Sequence, residues 1–522
     1  MRKMNRKIAS ILILIPVLLM SAMVLNMRLT SAQPQTLKVG VLVPYNLPHG
    51  DAYMGGAEGG AILAAMDING SGGINIGGTP YYIELILKDE HAFPLDESAA
   101  ETSTTELLQA GCKFIIGGFR TECVDNIIAV IKAWNVAHPG NEVIYFINGA
   151  STDALIKDTV GTSYSDYWWM FRINPINSTM LFQNILGYLI GYLIPRKLAP
   201  MYGGNVTYGY FVEDLSWTQG IAYYLETHGL GPNATFVYGA KTTPGTTDFG
   251  SVLDAAKTAN VRLLVTAYTL PDTQYLIAQW RQGEYPFIIV GIDVMGQSGL
   301  WPYMTGGKCE YEVEMDFSGT RSPITPQAVT FWDNFVGNFT KPSNPPAWPV
   351  YTAWGAYNGF ITLKKALEET DSLDPRVLVQ YLENSETLVL NGRARFTEWH
   401  DVYSIEYGAT WPLGYTRAMM AQWISKTGVG LVKEVVCPID QSYSKKTRIP
   451  PWIYELSDWD INFDGVVDIR DISTAGRAFG ATPGTPRWNI EADINLDGVI
   501  DIRDISAIGR NFGKSHTPWP LQ

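Results

Sequence analysis

A twelve-residue acidic segment occurs twice near the C-terminal end of this 522-residue chain and restricts its fold more than any other feature. The two copies begin at Asp460 and Asp493, 33 positions apart, and each has glycine at its sixth position. Calcium prefers six to eight hard oxygen ligands, and glycine at that position permits the sharp turn that brings the next carbonyl to the ion. We therefore predict two bound calcium ions. The ligand positions are Asp460, Asn462, Asp464, Val466, Asp468 and Asp471 in the first loop and Asp493, Asn495, Asp497, Val499, Asp501 and Asp504 in the second.

A similar apolar stretch follows each loop, which predicts a loop-helix unit present twice. Aspartate at the twelfth position, where EF-hand proteins carry glutamate, and the duplication resemble a small all-α dockerin module over 457–515. The resemblance implies two Ca²⁺ ions and docking to a cohesin domain through residues just after the ligands. These residues depart from the Ser/Thr and Lys/Arg pairs of cellulosomal dockerins, so a self-packed surface anchor is the alternative. They are Ile469, Arg470, Gly476 and Arg477, and Ile502, Arg503, Gly509 and Arg510 in the second copy.

Upstream, short β-branched runs alternate with longer helical stretches from Thr36 to about Asp293. Nearly continuous apolar runs are typical of parallel strands covered on both faces, and the alternation predicts an α/β fold. Two successive series of this kind predict two lobes, each a doubly wound parallel sheet, with a ligand cleft at the carboxyl ends of the strands. The predicted strands are 37–44, 82–88, 113–116, 143–147, 206–212, 235–238, 263–267 and 287–291, and the predicted helices include 57–68, 99–110, 124–134, 179–193, 219–228 and 353–369.

The chain begins with four basic residues and an apolar run from Ile8 to Leu25, which indicates an export signal. Residues 1–33 are either a signal peptide that is removed or an N-terminal membrane anchor, because the apolar run is just long enough to span a bilayer. A net charge of −13 and a pI near 5.0, without clustered Lys and Arg, argue against a nucleic-acid partner. Export also permits disulfides, and a bridge between Cys309 and Cys437 is the expected pairing. A joint rich in Lys and Pro, 437–456, is predicted to be a short, fairly stiff linker.

The order of several motifs over 36–436 resembles solute-binding proteins of the branched-chain amino acid type, which serve ABC importers. These motifs are Leu37–Pro44, Ile68–Ile74, Ile86–Asp89, Phe114–Gly118, Phe171–Ile173 and Thr243–Phe249. The resemblance implies a two-lobed type I periplasmic-binding-protein fold with a hinge. It also implies a small ligand, an amino acid or a related anion, and an ABC permease as partner.

The resemblance and the strand-end rule select the same candidate ligand contacts. Thr121 and Ser151 take the hydroxyl positions that bind an amino acid's carboxylate in the family, although both could equally be helix caps. Asp293 takes the position that pairs with a ligand ammonium. Arg120 departs from the small residue of the amino-acid binders, and it either binds an additional anion or pairs with Glu122. The full set is Tyr53, Arg120, Thr121, Gly149, Ala150, Ser151, Trp217, Tyr268 and Asp293.

No catalytic constellation is evident in the sequence. The six histidines lack metal-binding spacing, and neither GxSxG nor GxxxxGK[ST] occurs. The leading hypothesis is therefore a non-enzymatic, extracytoplasmic receptor of an ABC importer, held at the cell surface. An extracellular sensor or adhesion protein of the same fold is the alternative. A dockerin-bearing polysaccharide-active enzyme ranks third, because no pair of carboxylates stands out for glycoside hydrolysis.

Overall fold

The computed structural model describes residues 33–44, 50–93, 95–317, 320–342, 345–404 and 418–516. The predicted export segment before residue 33 lies outside these residues. In the described part of the chain, no helix combines the length and apolar character needed to cross a bilayer.

Two sheets dominate the fold, as the α/β alternation predicts. The first contains six strands in the order β2-β3-β1-β4-β5-β6, and all its pairs are parallel except β2 with β3. The second contains seven strands in the order β15-β14-β11-β10-β9-β7-β8, with β14 and β15 antiparallel to their neighbours. The strands are β1 Gln35–Val43, β2 Ile74–Ile76, β3 Thr79–Asp89, β4 Phe114–Gly117, β5 Ile144–Ile147, β6 Met170–Arg172, β7 Val206–Glu213, β8 Ala234–Thr242, β9 Leu263–Tyr268, β10 Ile288–Asp293, β11 Val313–Asp316, β12 Thr387–Val389, β13 Gly392–Ala394, β14 Met419–Lys426 and β15 Gly430–Cys437.

Helices cover both sheets and complete the doubly wound lobes. The segment 328–402 returns to the first lobe, where its apolar side chains join the core, whereas β14 and β15 extend the second sheet. The α-helices are Gly50–Met54, Ala57–Gly70, Glu97–Gln109, Thr121–Ala137, Ala154–Lys157, Val160–Tyr167, Ser178–Tyr188, Ala199–Met201, Gln219–Thr227, Gly250–Thr258, Thr273–Gln282, Trp301–Met304, Ala328–Phe339, Tyr351–Thr370, Pro375–Asn384, Ile469–Arg477 and Ile502–Arg510.

The helix predicted over 179–193 differs from the observed one. An α-helix runs from Ser178 to Tyr188, and a π-helix, Leu189–Leu198, continues it with Pro195 inside. The ring of a proline inside a helix clashes with the carbonyl four residues earlier, and the wider turn of a π-helix relieves that clash. The π-helix places Tyr192 and Lys197 in the interior of the second lobe.

The C-terminal module consists of two loop-helix units whose helices pack against each other. Both helices begin with a capping box, formed by Asp468 with Asp471 and by Asp501 with Asp504. In such a box each side chain satisfies an amide that the helix start leaves without a partner. The two halves of the module thus have the same local structure, as the repeat predicts.

The segment 437–456 lies against the second lobe. Lys446, Thr447 and Tyr454 are almost fully buried, and the Lys445 amide donates to the Val435 carbonyl at 2.7 Å. The module's apolar residues belong to the same core cluster as the inner face of the second sheet. Module and lobe therefore form one packed unit, joined by a segment that contributes side chains to both.

The prediction of a disulfide between Cys309 and Cys437 is wrong. All four cysteines lie in the described part of the chain, all are buried, and none forms a disulfide. Cys309 belongs to the core cluster on one face of the second sheet, whereas Cys437 belongs to the cluster on the other face. The sheet between the two clusters separates the thiols.

Candidate functional site

A cavity lies in the cleft between the lobes at the carboxyl ends of their strands, where ligands of open α/β sheets bind. Its space, including the opening to solvent, is about 590 Å³. Both lobes and the segments that connect them contribute to it. The lining residues are Phe119, Arg120, Thr121, Glu122, Gly149, Ser151, Ile176, Leu181, Leu215, Ser216, Trp217, Thr269, Ile292, Val294, Gln297, Phe317 and Tyr351.

Five of the predicted ligand contacts meet in this cavity: Arg120, Thr121, Gly149, Ser151 and Trp217. Thr121 begins a 17-residue helix directly after β4, and the residue before it makes no capping side-chain bond. The amides of the first helical turn therefore remain available at the cleft, which suits an anion. The Thr121 hydroxyl lies 2.7 Å from the Thr152 hydroxyl, so a strand-end turn of the same lobe orients it.

Gly149 lets two strand-end turns approach closely. A Cβ atom at this position would lie 2.6 Å from the Gly118 carbonyl oxygen and 2.7 Å from the Phe119 Cα. Any side chain there would push the turn that carries Ser151 away from the one that carries Thr121. The Gly149 carbonyl in turn accepts a hydrogen bond from the Tyr351 hydroxyl at 3.1 Å.

Arg120 donates its Nε hydrogen to Glu122 at 3.2 Å, and both side chains are partly exposed at the cleft. Pairing with Glu122, one of the two alternatives for Arg120, is therefore present. A guanidinium has five N–H donors, so this bond leaves capacity for a ligand anion.

Below Arg120 lies the buried carboxyl of Glu90, which accepts the amides of Phe119 and Arg120 at 2.7 and 3.3 Å. Burial raises the pKa of Glu90 to about 8, against the lowering effect of these amides. Near neutral pH this carboxyl therefore retains much of its proton and adds little negative charge beneath the cleft.

Trp217 forms the wall of the cavity on the second lobe and is 7% exposed. Its indole N–H donates to Glu213 at 2.7 Å, and the Thr269 hydroxyl donates to the same carboxylate oxygen. Glu213 is fully buried behind these two residues, and burial raises its pKa to about 7. The acid thus orients the aromatic wall from behind and does not line the cavity.

Four other predicted contacts lie outside the lining. Tyr53 lies against Lys341, whose ammonium is 3.6 Å from the ring centre, and the Ala150 amide already donates to the Gly118 carbonyl at 2.9 Å. Tyr268 is buried on the face of the second sheet that the helices Gly250–Thr258 and Thr273–Gln282 cover, where its hydroxyl lies 2.9 Å from that of Thr242. Asp293 is 2% exposed, and burial raises its pKa to about 7.

The sequence analysis missed the part of the cavity contributed by the segments connecting the lobes. Phe317 follows β11, Tyr351 begins a long helix, and their ring centres are 6.1 Å apart. Gln297, also missed, accepts the Tyr351 amide with its side-chain oxygen at 3.3 Å. Phe317 and Tyr351 carry no local signal, because their approach to the cleft depends on how the chain crosses between the lobes, whereas Gln297 lies in the second lobe just after β10.

The two loops of the C-terminal module have matching geometry. Gly465 and Gly498 have φ values of 95° and 84°, in the left-handed region that favours glycine. The Gly465 amide donates to Asp460 at 2.8 Å, and the Gly498 amide donates to Asp493 at 3.0 Å. These turns are the ones that the predicted calcium loops require.

The donor groups of the loops fit calcium chemically, because every predicted ligand is a carboxylate, amide or carbonyl oxygen. Within the described residues, however, no three His, Cys, Asp or Glu side chains converge as a metal site. In the first loop Arg470 pairs with Asp464 and Asp468, at 2.8 and 2.7 Å. Arg503 pairs with the corresponding carboxylates, Asp497 and Asp501, in the second loop. Calcium would have to compete with these guanidinium groups.

A buried ion pair joins the module to the second lobe. Lys197, from the π-helix, is fully buried and pairs with Glu491, which directly precedes the second loop. The Tyr192 hydroxyl donates to the same carboxylate, and the Lys197 ammonium lies 4.6 Å from the centre of the Phe463 ring in the first loop. The Lys445 ammonium also donates to the Leu496 carbonyl of the second loop at 2.7 Å. Both loops are thus in direct contact with the lobe or its connecting segment.

The protein has a type I periplasmic-binding-protein fold. Three features define this class: two α/β lobes, strand-end turns that face a shared cleft, and a chain that returns to the first lobe. The chain belongs to the periplasmic binding protein family, whose model matches residues 36–404. The dockerin type I domain matches residues 459–513, so the protein is a solute-binding receptor with a dockerin module. Families of this fold are usually not enzymes. No match was found among curated proteins.

Solved structures show the same fold. One is a putative branched-chain amino acid ABC transporter from Silicibacter pomeroyi, with a TM-score of 0.62, 15% identity, and coverage of 80% of this chain and 100% of that one. Another is the branched-chain amino acid transporter substrate-binding protein LivJ from Streptococcus pneumoniae in complex with isoleucine. Its TM-score is 0.57 and its identity 17%, and the match covers 77% of this chain and 99% of that one. A third is a solute-binding protein from Rhodopseudomonas palustris in complex with 3,4-dihydroxybenzoic acid. Its TM-score is 0.57 and its identity 15%, and the match covers 76% of this chain and 95% of that one.

Proposed function

We propose that this protein is the extracytoplasmic receptor of an ABC importer and binds an amino acid or a related small carboxylate in the cleft. The observation that supports this most strongly is the convergence of both lobes on one cavity. Thr121 and Ser151 approach it from the first lobe, and Trp217 from the second. A ligand held by both sides would stabilise the closed arrangement of the lobes, as hinge closure requires.

The carboxylate would bind at the start of the helix Thr121–Ala137. The uncapped amides, the Thr121 hydroxyl and the partly free guanidinium of Arg120 lie together there. Each of these groups donates hydrogen bonds, and bonds to an ionised acceptor are stronger than neutral ones. The apolar walls would take the rest of the ligand.

We further propose that the dockerin module binds two calcium ions and attaches the protein at the cell surface. Its duplicated turns support this, together with two isoleucines, Ile469 and Ile502, which are 64% and 62% exposed at equivalent positions. Apolar side chains exposed in duplicate on a small module favour a protein partner, and a cohesin domain is the partner type expected.

The test of the cleft uses the full chain in calcium and isothermal titration with a panel of amino acids and small carboxylates. Thr121→Val removes the hydroxyl and is expected to weaken binding of the best ligand about tenfold, since a hydrogen bond to a charged group contributes about 1.5–3 kcal/mol. Thr105→Val, in an exposed helical turn, is the matched control and should leave the affinity unchanged. Equal affinity of wild type and Thr121→Val would rule out this carboxylate site.

A further inference from the structure

We propose that the ligand of the cleft is an aromatic monocarboxylate that carries no α-ammonium group. This inference rests on the proposed function and narrows its ligand class. It follows from which charged groups reach the cavity and which are held away from it, and from the nature of the apolar walls.

Neither of the two acidic side chains at the cavity offers an accessible carboxylate of its own. Glu122, which lines it, pairs with Arg120. Glu213 is buried behind the wall, where its Oε1 accepts hydrogen bonds from the Trp217 indole and the Thr269 hydroxyl, while its Oε2 is buried without a hydrogen-bond partner among the residues that the structure describes. An ammonium of the ligand would thus meet one carboxylate that is shared with a guanidinium and another that is covered.

Asp293, the position expected to pair with an ammonium, is buried and does not line the ligand space. Its neighbours Ile292 and Val294 both line the cavity, whereas Asp293 itself does not. Its carboxylate accepts the amides of Met295 and Gly296 at 3.1 and 3.2 Å. Since residues of a strand alternate between faces, a ligand contacting Ile292 cannot also contact the Asp293 side chain without rearranging this turn. A buried ammonium without a carboxylate partner is strongly disfavoured.

Positive character, in contrast, is concentrated at one end of the cavity. Arg120 and the open start of the helix at Thr121 lie there, and both favour an anion. The Arg120–Glu122 pair is neutral as a whole, so the start of the helix at Thr121 supplies the remaining positive character. This end of the cavity can therefore compensate a single negative charge. A monocarboxylate meets that condition, and a dicarboxylate would exceed it.

The remaining walls favour an aromatic body. Trp217 lies on one side, and on the other Tyr351 is packed between Phe119 and Phe317, with ring centres 6.4 and 6.1 Å apart. A flat ring can pack against such walls in the offset or edge-to-face arrangements that aromatic groups prefer. The hydroxyls of Ser151 and Ser216 offer polar contacts at the edge without a charge.

The test compares matched ligands that differ only in the ammonium group, by isothermal titration of the full chain in calcium. The pairs are 3-phenylpropanoate with phenylalanine and 4-methylpentanoate with leucine. We expect each des-amino compound to bind at least about tenfold more tightly than its amino acid, a difference that corresponds to about 1.4 kcal/mol. The aromatic acid should bind more tightly than the aliphatic one.

A variant locates the carboxylate. Arg120→Gln should weaken binding of 3-phenylpropanoate about tenfold or more, whereas Arg321→Gln, which changes an arginine 58% exposed on the first lobe, should not. Tighter or equal binding of the amino acids would overturn this inference while leaving the receptor function intact. Failure of all four compounds to bind at millimolar concentration would refute both the ligand class and the carboxylate site.

Discussion

Removing either member of the buried Lys197–Glu491 pair is expected to loosen the C-terminal module from the second lobe. Lys197 is completely buried and Glu491 is 6% exposed at its side chain, so neither charge can recover its hydration if the partner is lost. Burial already lowers the pKa of Lys197, and the Glu491 carboxylate opposes that effect. The two charges therefore depend on each other in the folded protein.

The magnitude follows from this burial. Breaking a buried pair by removing one partner typically costs about 3–5 kcal/mol, because an uncompensated charge stays in the interior. We expect this cost for Glu491→Gln and for Lys197→Met. The double variant should recover much of it, since a methionine and a neutral amide leave no buried charge. The exposed Arg321–Asp333 pair is the control, and its loss should cost at most about 1 kcal/mol.

Scanning calorimetry of the full chain in calcium measures the effect. For a cooperative unit of 150–250 residues, 1 kcal/mol moves the melting temperature by about 2–4 °C, so each single variant should shift it by about 6–20 °C. Hydrogen exchange of the helix Ile502–Arg510 should rise in the same variants, which locates the loosening in the module. Shifts no larger than those of the Arg321–Asp333 control, or a double variant less stable than both single variants, would refute this account.

Two further predictions concern calcium and pH. Chelation of calcium should increase the hydrogen exchange of the helices Ile469–Arg477 and Ile502–Arg510, because calcium at 1,000 times its Kd stabilises the folded module by about 4 kcal/mol. Unchanged protection of these helices without calcium would contradict calcium binding. In constant saturating calcium, stability should fall as the pH rises from about 4.5 to 8, since burial raises the pKa of Glu90 from 4.5 to about 8 and the folded state then holds a proton that the unfolded state releases. Glu90→Gln should reduce this dependence of the melting temperature, with the buried Glu213 and Asp293 retaining part of it, and an unchanged slope would show that Glu90 does not contribute.

Eight strands, β1, β3, β4, β5 and β7 to β10, could be predicted from sequence, most directly where a parallel strand is buried on both faces. Their runs, such as Leu263–Tyr268 and Ile288–Asp293, are almost entirely apolar and leave few alternatives. The π-helix could not be predicted. Pro195 indicates that regular α-helical hydrogen bonding is interrupted, but it does not indicate whether the helix ends, kinks or widens there. The contacts between module and lobe were missed for a different reason. Lys197 and Glu491 are about 300 residues apart, and each alone resembles a surface residue.

The candidate site was predicted where a strand-end turn faces the cleft directly, as at Thr121 and Ser151. The choice between adjacent residues at a strand end was harder. Tyr268 is the last residue of β9 and faces the helix layer, whereas the next residue, Thr269, lines the cavity. An error of one residue reverses the face, since side chains alternate along a strand. Burial patterns on both sides of a sheet are needed to decide such cases.

The second lobe separates the candidate ligand cleft from the dockerin module. Trp217 and Thr269 line the cleft from the carboxyl ends of β7 and β9, whereas the first acidic loop of the module faces Asn205 and Asn260, which precede the same strands. A strand of six to eight residues spans about 20–26 Å, so a partner bound to the module lies on the far side of the lobe from the ligand. The proposed hinge closure would move the lobes relative to each other, and the Lys197–Glu491 pair would make the module move with the second lobe. A receptor built in this way can be held through its module while the first lobe opens and closes over the cleft.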